Sequence, residues 1–223
     1  DKNRRIVFYS IHLRKNSQTL TTQSIPALIK QLAIPASIGM FFNTMYNVVD
    51  TFYAGLISTQ AISALTLSFM IFFLIIGFGY GFSSAITALL GNALGKKRYK
   101  LASIYAHKGL VFVPLIGLTL SIIGYFFAPS LFMFLGAKDE YLQISLDYIN
   151  PILFGAIFFM FNFSLNSILI ATGDTKTYRN SLIFGFFANL ALNPLFMYGF
   201  LFVPAMGIKG IAFATVLIQI INM

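Results

Sequence analysis

Residues 62–92 read ISALTLSFMIFFLIIGFGYGFSSAITALLGN, a run with no charged side chain anywhere in it. A helix needs about 20 apolar residues to cross the hydrocarbon layer of a bilayer, and this stretch exceeds that. Backbone groups have no water partners in lipid, so the run must be a helix or a strand of a closed barrel. Its length and its lack of strict alternation favour the helix. Working outward, five more segments meet or approach the same length, at 28–57, 102–128, 142–171, 178–203 and 207–223, the last cut short. The chain reads as an all-α membrane protein: a bundle of six transmembrane helices over 25–223, preceded by a basic tail at 1–24.

Composition agrees. Hydrophobic residues make up 58% of the 223-residue chain and charged residues 9%, far from the roughly half and one quarter of a soluble domain. The net charge of +9 would suit a nucleic-acid binder, but the positions of the basic residues decide otherwise. Thirteen of the fifteen lysines and arginines fall in the tail and in alternate connections, around Lys96–Lys108 and Lys176–Arg179. That is the positive-inside pattern, and it places the N-terminus in the cytoplasm of a cell membrane, with lipid rather than nucleic acid as the partner. The chain has no cysteine, and His12 and His107 are isolated, so no zinc site is expected. The tail lacks the short apolar core and cleavage site of a secretory signal. A chain that opens on Asp1 and stops at Met223 within an apolar run is expected to continue beyond both ends.

Five of the six acidic residues have aqueous or interfacial positions: Asp1, Asp139, Glu140, Asp147 and Asp174. Asp50 differs, because it follows the apolar stretch Ala33–Val49. An ionised Asp within a span costs about 2.5–3.5 kcal/mol on insertion scales, so it normally faces a polar cavity or partner, or takes up a proton. Counted from Ile57, Asp50 is about 10 Å from the outer surface at 1.5 Å per residue, and an interfacial position is the bland alternative. Asn189 and Asn193 share one face of the fifth span, with Pro194 directly after them. The same count, started from Pro204, puts them about 22 Å and about 16 Å deep, with Thr215 about 12 Å in from Gly207. Their side chains could hold a cation with Asp50, or could simply bond helix to helix. Pro35 should bend the first span.

Three apparent motifs are set aside. Gly79-Tyr80-Gly81 imitates a potassium filter without the preceding Thr-Val, and close helix packing through Gly77 and Gly81 is the expected role of this stretch. Gly91 to Lys96 imitates a phosphate loop but is one residue short, with Lys97 where Ser or Thr should stand. Asn162-Phe163-Ser164 fits a glycosylation acceptor but lies within an apolar span.

Several passages, in order along the chain, resemble the N-terminal half of the multidrug and toxic compound extrusion (MATE) family. They are Ile34-Pro35 with Tyr46–Gly55, Ala93–Lys97, Ile168–Lys176, Asn189–Gly199 and Gly207–Ala212. The resemblance implies one six-helix lobe of a two-lobed, twelve-helix transporter that exports organic, often cationic, compounds by alternating access, coupled to sodium or protons. It implies no enzyme activity and no cofactor, a small organic molecule as substrate, a C-terminal lobe as the missing partner and, most simply, a bacterial inner membrane. By resemblance Asp50 is the coupling carboxylate and the site of any sodium ion, with no other metal. Asn189 and Thr215 build its pocket, Asn193 stands where many bacterial members carry Asp, and Asn166 extends the network. Met40, Asn43 and Tyr46 face the substrate cavity and Pro35 bends the first helix. A lipid or polysaccharide flippase of the same superfamily, or a non-transporting fragment, are the competing readings.

Overall fold

A computed structural model describes residues 23–200 and 203–223, so the tail at 1–22 lies outside the described residues. Among the described residues seven helices follow one another: α1 (Ile25–Ile57), α2 (Thr59–Gly95), α3 (Tyr99–Phe134), α4 (Asp139–Phe154), α5 (Ala156–Ala171), α6 (Thr175–Tyr198) and α7 (Ile208–Ile221). Among the described residues the one extended pairing is an isolated bridge between Phe200 and Val203. Helices α1, α2, α3 and α6 are each long and apolar enough to cross a membrane. Helix α7 has 14 residues, about 21 Å, against a hydrocarbon layer of about 30 Å.

The expected single span at 142–171 is broken instead, with α4 and α5 meeting at an angle of 48°. Pro151 cannot donate the helical bond to residue 147, which weakens the last turn of α4. Gly155 at the joint admits a neighbour: a Cβ there would lie 2.5 Å from a methyl of Val216 on α7. Two of the other joints are short and capped by a side chain. A single residue, Ser58, separates α1 from α2, and its hydroxyl accepts from the Ala61 amide at 3.0 Å. Asp174 caps α6 by accepting from the Thr177 amide at 3.0 Å, which gives that interfacial acid a local role.

The fifth span also ends earlier than 203. Helix α6 stops at Tyr198 and Gly199 turns the chain at φ +75°, where a Cβ would meet Val203 and Ala205 backbone. The chain then folds back, and the Met206 and Gly207 amides donate to the carbonyls of Phe196 and Met197. Recounting from Tyr198 puts Asn193 about 8 Å and Asn189 about 14 Å from the helix end, on either side of the level of Asp50. The earlier depths were too large because helical rise was applied to residues that are not helical.

Helix packing brings α1 against α6, α5 against α3 and α2, and α7 against α6 and α4. Leu65, Ile75, Phe132, Tyr148, Ile152 and Ile211 form one buried cluster, and Leu90, Ala102, Val113 and Met160 a second. Large apolar side chains elsewhere point outward, as at Phe134 and Phe154, which lipid tolerates. The expected packing through Gly77 and Gly81 is not found: nothing lies within 4 Å of either position, and both line an open apolar groove with Phe73 and Phe78. The close contact is at Gly79, which lies against the Phe163 ring. Two residues turn about 200° around a helix, so Gly79 faces inward when its neighbours face out. Gly91 and Gly95 belong to helix α2, consistent with setting aside a phosphate loop there.

Candidate functional site

Asp50, Asn189, Asn193 and Thr215 come together from α1, α6 and α7, and all four are buried, Asp50 at 3% exposure. The Nδ2 groups of Asn189 and Asn193 each donate to Asp50 Oδ1 at 2.8 Å. Asn193 Nδ2 also reaches Asn189 Oδ1 at 3.2 Å. Asp50 Oδ2 accepts only a long bond of 3.4 Å from the Thr215 hydroxyl. The cluster is thus asymmetric, with one carboxylate oxygen saturated and the other nearly free.

Two more polar atoms here are buried without partners: Asn193 Oδ1 and the Tyr46 hydroxyl. The Asn193 amide cannot be turned round to help, because its oxygen would then face Asp50 Oδ1. Among the described residues the one ion pair is Asp147 with Lys209, so no side-chain cation balances Asp50. Unmet oxygen acceptors around an uncompensated carboxylate suit a hard cation, or a proton on Oδ2. These residues therefore fit a sodium ion or a proton as cargo.

A cavity reaches this cluster from one side. Asp50, Tyr46 and Thr215 are on its wall, while Asn189 and Asn193 stand behind Asp50. Asn43 lines the cavity as expected. Asn166 lines it too, from α5 on the far limb of the broken span, but makes no hydrogen bond with the Asp50 cluster. Met40 is 52% exposed and stands outside the lining, because its face of α1 turns away from the bundle. Pro35 follows a π-helical turn at Ile29–Ala33, so the disturbance of α1 precedes the proline.

Asn47, Tyr178 and Gln219 on the wall were not singled out from the sequence, and Asn162 was named only in the discounted glycosylation match. Asn162 Nδ2 donates to the Gln219 carbonyl at 2.7 Å and to its Oε1 at 2.9 Å, tying α5 to α7. The signal was present in the spacing. Asn43 and Asn47, Asn162 and Asn166, and Asn189 and Asn193 are three pairs four residues apart, each on one helix face within an apolar span.

Long apolar helices closing around a carboxylate and a set of amides define a multi-pass membrane protein with a polar interior cavity. The MatE family model matches residues 35–195, and the chain belongs to that family. Among curated relatives, the probable multidrug resistance protein YoeA of Bacillus subtilis is 34% identical over 72% of this chain and 35% of its own length. The FAD transporter of Shewanella oneidensis is 26% identical over 90% of this chain and 44% of its own. Among solved structures, a MOP superfamily transporter from Pyrococcus furiosus matches with a TM-score of 0.84 at 28% identity, covering 92% of this chain and 44% of that one. An outward-facing multidrug resistance MATE transporter matches with a TM-score of 0.83 at 27% identity, covering 96% and 45%. The chain spans less than half the length of each of these proteins.

Proposed function

We propose that this chain is the N-terminal lobe of a cation-coupled antiporter that exports organic compounds across a cell membrane, with its N-terminus in the cytoplasm of a bacterial cell. The observation that carries the proposal is Asp50: a buried carboxylate on a cavity wall, with neutral donors on one oxygen, little on the other and no resident cation. A charge balanced only from outside makes occupancy by sodium or a proton an event with consequences for the surrounding helices. Asn189, Asn193 and Thr215 hold the carboxylate in place. Tyr46, Asn43 and Asn166 offer the substrate polar contacts, and Met40 belongs to the face turned toward a second lobe. Binding at Asp50 favours one of two access states, and release of the organic compound follows.

The multidrug-resistance names of relatives support export of drugs, and the flavin-nucleotide name of another supports a broader range of planar compounds. Among the described residues the cavity wall carries no lysine or arginine, which disfavours a flippase for phosphate headgroups. The test is efflux by the intact protein in liposomes under sodium and proton gradients. Asp50→Asn is expected to remove the dependence on the ion, and unchanged ion-driven efflux would sink the proposal.

A further inference from the structure

Each proline inside a helix leaves the carbonyl four residues earlier without its helical donor. Within the membrane, as at Pro194, that carbonyl has no water to replace the donor. For two of the prolines, a hydroxyl from the facing helix supplies the bond. Pro35 deprives the Gln31 carbonyl, and Thr175 Oγ1 of α6 donates to it at 3.1 Å. Pro194 deprives the Leu190 carbonyl, and the Tyr53 hydroxyl of α1 donates to it at 3.1 Å. The exchange is reciprocal: α6 fills the gap in α1, and α1 fills the gap in α6.

The second bond runs beside the ion site. Tyr53 lies three residues past Asp50 and Leu190 is next to Asn189, so the Tyr53 bond is adjacent to the pair Asp50–Asn189. At the other end the backbones are close, since a Cβ on Gly39 would lie 3.2 Å from the Arg179 Cα. A helix that keeps its own backbone bonds can bend independently of its neighbour. Here the bond missing at each proline is supplied by the opposite helix.

We propose that Tyr53 and Thr175 are positioning residues for the Asp50 site. Their hydroxyls replace the donors that Pro194 and Pro35 lack, and so fasten α6 and α1 to each other at the spacing that lets Asn189 and Asn193 reach Asp50. This rests on the reading of Asp50 as the coupling carboxylate. Tyr53 is the more important of the two for ion binding, because its bond is next to the cluster.

The test is a pair of double-mutant cycles in the intact protein, read first as the half-saturating concentration of sodium or protons for efflux. Tyr53→Phe is expected to raise that concentration about 5- to 10-fold, the equilibrium worth of one hydrogen bond, with the maximal rate held within about twofold. Pro194→Ala restores an amide for the Leu190 carbonyl, so adding Tyr53→Phe to it should change half-saturation by less than about twofold. An unchanged half-saturation in Tyr53→Phe, a fall in maximal rate alone, or an equal effect in both backgrounds would overturn the inference. Thr175→Val with Pro35→Ala repeats the logic should Pro194→Ala not fold. The same cycles read in the melting temperature of the purified protein need no transport. Coupling there with ion-independent efflux refutes the reading of Asp50 and keeps the hydroxyl fastening. Absence of coupling there refutes the fastening whatever efflux shows.

Discussion

Asp50 and Asp147 are two carboxylates solved in opposite ways. Asp147, near the end of α4 that follows the loop at Gly136–Lys138, keeps a quarter of its side chain exposed and pairs with Lys209 at 3.1 Å, with Gln143 Nε2 donating to the same oxygen at 2.8 Å. Asp50 is buried and has amides and a hydroxyl instead of a lysine. A resident cation settles the charge of Asp147 permanently, in a place where solvent would have tolerated it anyway. At Asp50, where solvent cannot help, the protein supplies geometry and leaves out the charge. The missing counter-charge separates Asp50 from a pair that holds helices together, and the proposed exchange of ions rests on that difference.

This contrast can be broken in graded steps. The largest effect is expected from Asp50→Asn, which should weaken the coupling of ion to efflux on the order of a hundredfold in liposome assays. Thr215→Lys should bring Asp50 close to the condition of Asp147 by giving it a cation of its own. Efflux is then expected to lose its ion dependence, and a Thr215→Lys protein still driven by sodium or protons would contradict the role given to the missing charge. Asn189→Leu removes a donor from a buried carboxylate and should lower stability by about 1.5–3 kcal/mol in detergent unfolding. That loss should shrink in an Asp50→Asn background, where the acceptor is neutral. Lys209→Met should have the smallest effect, about 0–1 kcal/mol, weaker still at high salt and without any change in ion dependence.

The spans were legible because lipid imposes one simple rule, a long apolar helix, and Asp50 was legible because it breaks that rule. Asn189 and Asn193 followed from their four-residue spacing. Features that depend on what stands opposite were not readable: the break at Gly155 needs Val216 across from it, and the inward face of α2 turned out to be that of Gly79. Depth along α6 was misjudged because nothing local announces that Gly199 turns the chain back on itself. Tyr53 carried no signal of its own in the sequence, since its hydroxyl acquires meaning only through Pro194, 141 positions later.

The joint at Ser58 sets how α1 can move. One residue between two long helices allows a separation of only a few ångströms, with about 3.8 Å between successive Cα atoms, so that end of α1 is pinned to α2. The π-helical turn at Ile29–Ala33 lies at the opposite end, where the ladder of backbone bonds is already irregular. Within that turn the Gln31 carbonyl accepts from Thr175 of α6, so α1 is tied at one end to α2 and at the other to α6. Asp50 lies between these two ties, so α1 presents its carboxylate from a segment held at both ends.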